Sequence, residues 1–461
     1  MRPVSSIVDL FARHAGVLTV PTRENLSVLL RGALLAPGAR TVTGCLRAAW
    51  PWAEKDWRTY ENVPRRARVP IRALARESFH MALELVPPDA VVELAVDETL
   101  VRRYGPHVVG VGMHRDAVRS SHSQHLVTPG HKWVVVSMVV RLPSVHRALA
   151  LPIASALYTA KKKAPRSRTE PLRPKHRTVG EIARVLVRMI ARWAPQRRLR
   201  VLGDGLYGSH DLADAFNPRS PVEELRRVTL VSRFKRDAAL YAPPPPYKGS
   251  GRPSVKGKKL PAPRQTAMDP ATHWDRLSVA WYGAKRKTID ACSGTGLWYR
   301  CGSAATEVRW VLARDPKGEK KDEVFFSTDT SLTPQEIVEA FVRRWAMETT
   351  FQEARDLLGL ETLRNRAETS VRRSVPMLLS VYTLVVVWFA KTVEEPEQWK
   401  QEAPWYKKPS LTFSDMLVAA REDVLNEILL PRTLPDVDDS KAAPPVRVVL
   451  YPASVPRIRR A

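Results

Sequence analysis

Apolar residues change their spacing along the chain, and each change marks a boundary. Over 24–35, 40–50 and 71–85 they fall at helical spacing, interrupted by Pro37-Gly38 and by Pro51, Pro64 and Pro70. From residue 91 the period shortens: 91–97, 107–113 and 132–142 are Val-rich runs that predict strands. An amphipathic helix is predicted over 179–193, a strand over 199–203, a helix over 210–216 and a strand over 227–234. This order of strands and helices is that of an α/β fold, a mixed sheet flanked by helices.

The pattern is then interrupted. Residues 235–303 hold four consecutive prolines, 243–246, and a Lys- and Gly-rich stretch before strand-like pieces resume at 277–282 and 297–301. Strands at 307–313 and 323–327 lead into one long helical pattern, 333–358, opened by Thr333 as cap and Pro334 as first helical residue. Helices over 368–393 and 412–428 precede a Pro-rich tail. The expected domains are therefore a helical one (1–86), a core in two parts (87–234 and 304–395) split by a β-rich insertion (235–303), and a C-terminal helical region and tail (396–461). The first two helices and their Pro-Gly turn suit a helix-turn-helix, and equally any small helical bundle.

Charge narrows the partners. The 461 residues carry 74 Lys and Arg against 47 Asp and Glu, a net +27. A balance this basic points to a polyanion, with nucleic acid first, although a solvated basic surface has the same composition. Three cysteines, none in a CxxC pair, are too few for a disulfide framework and suit a reducing compartment. The N-terminus lacks the pattern of a signal peptide. The most apolar stretch, 375–390, falls short of the ~20 residues that span a bilayer and is expected to be a buried helix, without membrane association. No Gly-Lys-Ser/Thr phosphate loop and no supported Ser-His-Asp set is present.

Three carboxylates carry the candidate chemistry. Asp97 and Asp204 each follow an apolar run predicted to be a strand, where a side chain faces a ligand rather than the core. Strand alternation sends Asp97 and Glu98 to opposite faces, so only one joins a shared site. Glu348 lies in the long helical pattern, where Phe341, Arg344, Glu348 and Arg355 fall within about 60° of one another. Taken alone, Arg344 and Glu348 are an ordinary i, i+4 surface pair, and Asp204 beside Gly205 is an ordinary turn. Together, two carboxylates at strand ends and one on a helix can hold two hard divalent cations over a phosphodiester. Lys161, Lys162 and Lys163 open a basic segment that reads equally as a phosphate-binding loop or a solvated linker. His114, His122, His125 and His131 lack completing ligands and read as part of a DNA-facing loop.

The spacing Phe341-x2-Arg344-x3-Glu348-x6-Arg355 resembles the Tyr-x2-Arg-x3-Glu-x6-Lys signature of DDE transposases of the IS4/IS701 type. Asp97-Glu98-Thr99, Gly203-Asp204-Gly205-Leu206-Tyr207-Gly208 and Pro404-Trp405-Tyr406 are similar to further motifs of that family, over about residues 85–430. Phe341 departs from the usual Tyr, removing a hydroxyl. Arg355 departs from the usual Lys, exchanging a point donor for a planar fork.

The resemblance implies an RNase H-like core and an insertion that helps position DNA ends. It also implies catalysis by Asp97, Asp204 and Glu348 holding two Mg2+ ions, with Mn2+ able to substitute. Arg344 and Arg355 would bind phosphates. Trp298 would stack on an unpaired base, or else pack in the insertion core. The implied partners are duplex DNA, as terminal inverted repeats and as target, and a second copy of the chain in a synaptic complex. The implied setting is a bacterial cytoplasm, at the nucleoid. Two other functions stay open: a nuclease of the same fold without strand transfer, and a domesticated DNA-binding protein without catalysis.

Overall fold

The computed structural model describes residues 6–116, 119–121, 123–160, 176–247, 249, 252–282, 285–319 and 321–429. The chain divides into two compact units, Met1–Ser78 with Glu353–Ala461, and Phe79–Gln352.

The first unit is helical. Its N-terminal part holds α1 (Ile7–His14), α2 (Val20–Leu35), α3 (Val42–Ala48) and α4 (Trp57–Arg65), and α5 (Ile71–Leu83) leads out of it. The short helices α1 and α4 were not expected from apolar spacing. Their ends are set by side-chain caps instead, Ser6 accepting from the Asp9 N–H and Asp56 from the Arg58 N–H. Helices α2 and α3 approach closely at Gly32, where a Cβ would stand 2.2 Å from the Cys45 carbonyl oxygen. Leu26, Leu29, Ala33, Cys45, Leu46, Tyr60 and Val63 form the core of this bundle. The C-terminal part supplies two long helices, Glu368–Thr392 and Phe413–Leu429. The first is long and apolar enough to cross a membrane, yet 67% of its most apolar window is buried inside the protein. In it Tyr382 stacks on Phe413 at 4.0 Å and its hydroxyl donates to Glu353.

The second unit is built on one sheet of mixed strand direction with helices packed on it. Its strands are β1 (Val92–Arg102), β2 (Gly112–Arg115), β3 (Val127–Val140), β4 (Leu149–Leu157), β5 (Leu199–Gly203), β6 (Val228–Arg233), β7 (Leu240–Tyr241), β8 (Asp275–Ala280), β9 (Arg286–Trp298), β10 (Thr306–Arg314) and β11 (Glu323–Ser327). The spatial order β4-β3-β1-β5-β6 is the core: β4, β3 and β1 are antiparallel neighbours, and β1, β5 and β6 run parallel. Beyond β6 the sheet continues antiparallel through β11, β10 and β9, with β7 and β8 both on the far edge of β9. Segment 235–303 thus adds β7, β8 and β9 to the same sheet.

Strand β4 was not expected, because Pro152 lies within it. A register shift between Val136 and Ser137 of β3 places Pro152 opposite Ser137, a bulge that tolerates a residue with no N–H. Helix α6 (Val179–Trp193), closed at its start by a Thr178–Glu181 capping box, packs on β3 and β4. Helix α7 (His210–Ala215) follows the turn after β5.

The long helical pattern 333–358 is in fact two helices, α9 (Pro334–Arg343) and α10 (Ala346–Asp356), with α8 (Pro263–Met268) a short earlier piece. At the junction the chain tightens. The N–H groups of Arg344, Trp345, Met347 and Glu348 bond three residues back, at 2.9–3.2 Å, rather than four. Apolar period alone cannot register such a tightening, because i and i+3 stay on one face.

Candidate active site

Strand β1 does not end at Asp97, as the apolar run suggested. It continues to Arg102 because β3 pairs with it along its whole length. What ends near Asp97 is the parallel pairing: the last β1–β5 partners are Val96 and Gly203. Asp97 and Asp204 are therefore the next residues on two adjacent strands, both at the C-terminal end of the parallel set.

The turn after β5 fixes Asp204. Its side chain accepts from the Leu206 N–H at 2.9 Å, and its carbonyl accepts from the N–H groups of Tyr207 and Gly208 and from the Ser232 hydroxyl. Glycine is required at 208, where a Cβ would stand 2.2 Å from the Arg233 carbonyl oxygen. Tyr207 is fully buried, and its hydroxyl donates to Glu98 at 2.9 Å. Glu98 also takes Lys132 at 3.3 Å, whereas Asp97 takes Arg344, so the two neighbours serve different partners. Burial, with the charges of Glu98, Asp97 and Asp204, raises the Tyr207 phenol well above its ordinary range.

Helix α9 delivers the third element. Glu93, four residues before Asp97, accepts two hydrogen bonds from Arg343 at 2.6 Å, and Arg200 of β5 stands 3.3 Å away. Burial pushes the Glu93 carboxyl up, but the Arg343 hydrogen bond and the charges of Arg343, Arg200 and Arg141 outweigh it and leave it below its usual range. This clamp holds the end of α9 on β1, and so sets Arg344 beside Asp97. The sequence reading missed it, although a glutamate inside the apolar run 91–96 was the available signal.

Arg344 joins the acids. Its Nη1 donates to Asp97 Oδ2 and its Nη2 to Glu348 Oε1, both at 2.9 Å. The guanidinium is nearly buried, at 9% exposed, and its Nε has no hydrogen-bond partner. Burial raises the Asp97 carboxyl to about 7; Arg344 opposes that rise and Asp204 adds to it. Asp97 and Asp204 thus feel each other, and both feel Arg344.

The remaining predicted residues are placed as follows. Phe341 is buried, its ring tilted 41° against that of Phe325 with centroids 4.6 Å apart, and reached by the guanidiniums of Arg233 and Arg344 at 5.5 and 5.6 Å. Arg355 lies on α10 seven residues past Glu348, its Nε 3.7 Å from Glu361. Trp298 is half-buried among His210, Phe234 and Phe326, with ring centroids 4.9–5.4 Å apart. Lys161, Lys162, Lys163 and His122 lie outside the described residues. His114 and His131 are buried, and burial holds both rings below the ordinary imidazole range; His125 is exposed.

Asp97, Asp204 and Glu348 offer only hard oxygen donors, the chemistry that suits a hard divalent cation. In donor type they fit such an ion. As they lie, no group of three or more His, Cys, Asp or Glu among the described residues stands close enough to hold one. The cation bridging Asp97 and Glu348 is the Arg344 guanidinium.

The end of the parallel pairing thus sets two aspartates side by side at one edge of a mixed sheet. The family model described as DDE superfamily endonuclease matches residues 16–290, more than half of the chain, and the chain belongs to that family. Its membership makes it a nuclease- or transposase-type protein acting on DNA. The match includes Asp97 and Asp204 and stops before Glu348. No curated protein matches the chain.

Proposed function

We propose that this protein is a DNA transposase of the IS4/IS701 type, with Asp97, Asp204 and Glu348 as its catalytic carboxylates. The observation that carries the reading is the bridge through Arg344: it links a strand aspartate to a helix glutamate beside a second strand aspartate. The three carboxylates would hold divalent ions, Mg2+ first, which when bound activate the attacking oxygen and relieve charge on the leaving one. Asp97 must then be ionised, and Asp204 is kept in place by its turn. Arg344 would exchange its carboxylate partners for a phosphate oxygen, for which its planar fork is suited. Water would attack the phosphorus at the transposon end and expel the 3′-oxygen, and the 3′-hydroxyl so freed would attack a target phosphorus, expelling the target strand's own 3′-oxygen. Two copies of the chain would pair the two ends, in the cytoplasm.

The test incubates the protein with an end duplex, a target plasmid and Mg2+. Joined products are expected; cleavage without joining would assign a nuclease instead. Asp97→Asn, Asp204→Asn and Glu348→Gln should each bind the duplex and fail to cut it. Normal Mg2+-dependent cleavage by pure Glu348→Gln protein would refute the site.

A further inference from the structure

The helical unit contains a cleft of about 500 Å3 that the carboxylate site does not use. On one side it is lined by α3 and α4, with Arg40, Thr43, Trp57, Glu61 and Arg65. On the other it is lined by 363–367 and the first turns of Glu368–Thr392, hereafter α11. Four arginines, at 40, 65, 364 and 366, face one glutamate there.

These arginines do different things. Arg40 is structural: it is 6% exposed, and its guanidinium donates to the carbonyls of Ala33, Gly38 and Leu357. Arg65 shares Glu61 at 3.9 Å. Arg364 and Arg366 are exposed, and among the described residues neither has an ion-pair or hydrogen-bond partner. The floor of the cleft is polar as well. Ser370 and Ser374, one turn apart on α11, are 5% and 8% exposed, and their hydroxyls have no hydrogen-bond partner among the described residues. The cap of α11, Ala367, supplies no side-chain oxygen to the first N–H groups, so a 25-residue helix opens toward the cleft uncapped.

Cleft-lining hydroxyls without partners, two unpaired guanidiniums and uncapped helix N–H groups all call for one kind of ligand, an anion with several acceptor oxygens. In a protein of net charge +27 that acts on DNA, we infer that this cleft seats the phosphate backbone of duplex DNA. Arg364 and Arg366 would clamp adjacent phosphates, and Ser370 with the start of α11 would take an oxygen of one of them. None of these groups reads a base, so the contact positions the duplex without choosing its sequence. The segment 363–374 follows the Glu348 helix directly, so the same stretch of chain would carry a third acid and a DNA clamp.

This inference rests on the DNA reading above, and its test separates the two. Full-length protein is titrated onto a labelled duplex at 50–200 mM salt, and binding is followed by anisotropy. The double variant Arg364→Gln/Arg366→Gln should weaken binding by about tenfold and make the log-affinity against log-salt slope shallower by about 1.8, the value for two lost phosphate contacts. The loss should be alike for unrelated sequences. Ser370→Ala should weaken binding by a smaller factor without altering the slope. Unchanged affinity and slope in the double variant, with wild-type binding intact, would overturn the cleft assignment alone. Absence of wild-type binding to any duplex would overturn the DNA reading itself. Both arginines are exposed, so the variants are expected to melt with the wild type; the melt is run beside each titration.

Discussion

Replacing Arg344 by Met is the sharpest probe of the carboxylate cluster, because its cost should depend on pH in a direction the structure fixes. The wild-type guanidinium donates at 2.9 Å to Asp97, whose side chain is 15% exposed, and to Glu348, which is 38% exposed. The Glu348 bond is well solvated and contributes about 0.5 kcal/mol. Removing the partner of a buried charge costs about 3 kcal/mol or more. That larger cost applies only while Asp97 is ionised. Its folded carboxyl titrates at about 7, above the ordinary 3.8, so between those values the native state holds a proton that the unfolded chain has released. Wild-type stability therefore falls as pH rises through that window. Arg344 opposes the rise in the Asp97 carboxyl, so its loss pushes that carboxyl further up and carries the fall on to higher pH.

At pH 5, where Asp97 is protonated in the native state, Arg344→Met should cost less than about 1 kcal/mol. At pH 8 it should cost up to about 1.4 kcal/mol more, because the wild-type carboxyl is ionised over only about one pH unit there while the unpartnered one keeps its proton. That is a difference of a few degrees in melting temperature for a unit of this size. The assay is thermal unfolding with EDTA present, at both pH values, with Asp97→Asn as the companion variant. Asp97→Asn should abolish the pH dependence of the Arg344→Met effect. An equal loss at pH 5 and pH 8 would refute the reasoning, as would no loss at pH 8.

Tyr207→Phe removes the hydroxyl that donates to Glu98 and should lower stability by about 1–2 kcal/mol, read by chemical denaturation, while leaving the Asp204 turn in place. Gly208→Ala drives a Cβ into the Arg233 carbonyl and should displace Asp204, so it should lose DNA cleavage and more than about 2 kcal/mol of stability, with duplex affinity retained. Asp423 accepts from the Ile7 N–H, and burial, with Glu427 and Asp9 nearby, raises its carboxyl to about 6. Since that cost is present above the unfolded value and complete once pH exceeds 6, Asp423→Asn should raise the melting temperature at pH 8 and leave it unchanged at pH 4.

Much of the local structure was legible in the chain itself. Thr333 and Pro334 start α9 where their capping chemistry says a helix must start, and the run 199–203, apolar but for Arg200, is a parallel strand. The spacing of Arg344 and Glu348 was enough to expect their pairing, since i and i+4 meet on any helical path. Period and capping are local, and so they survive in sequence.

What the sequence could not decide is set by contacts between distant segments. Asp97 looked like a strand end because its own apolar run stops there, but β3, thirty residues on, carries the strand to Arg102. The break between α9 and α10 leaves the apolar face intact and is invisible to periodicity. The Glu93–Arg343 clamp, the Tyr207–Glu98 bond and the unpaired Arg364 and Arg366 are facts of tertiary placement, because whether a charge is paired depends on which remote residue the fold brings to it. The sequence by itself determined which groups are available for chemistry, and the tertiary structure alone decided which of them stand within reach of one another.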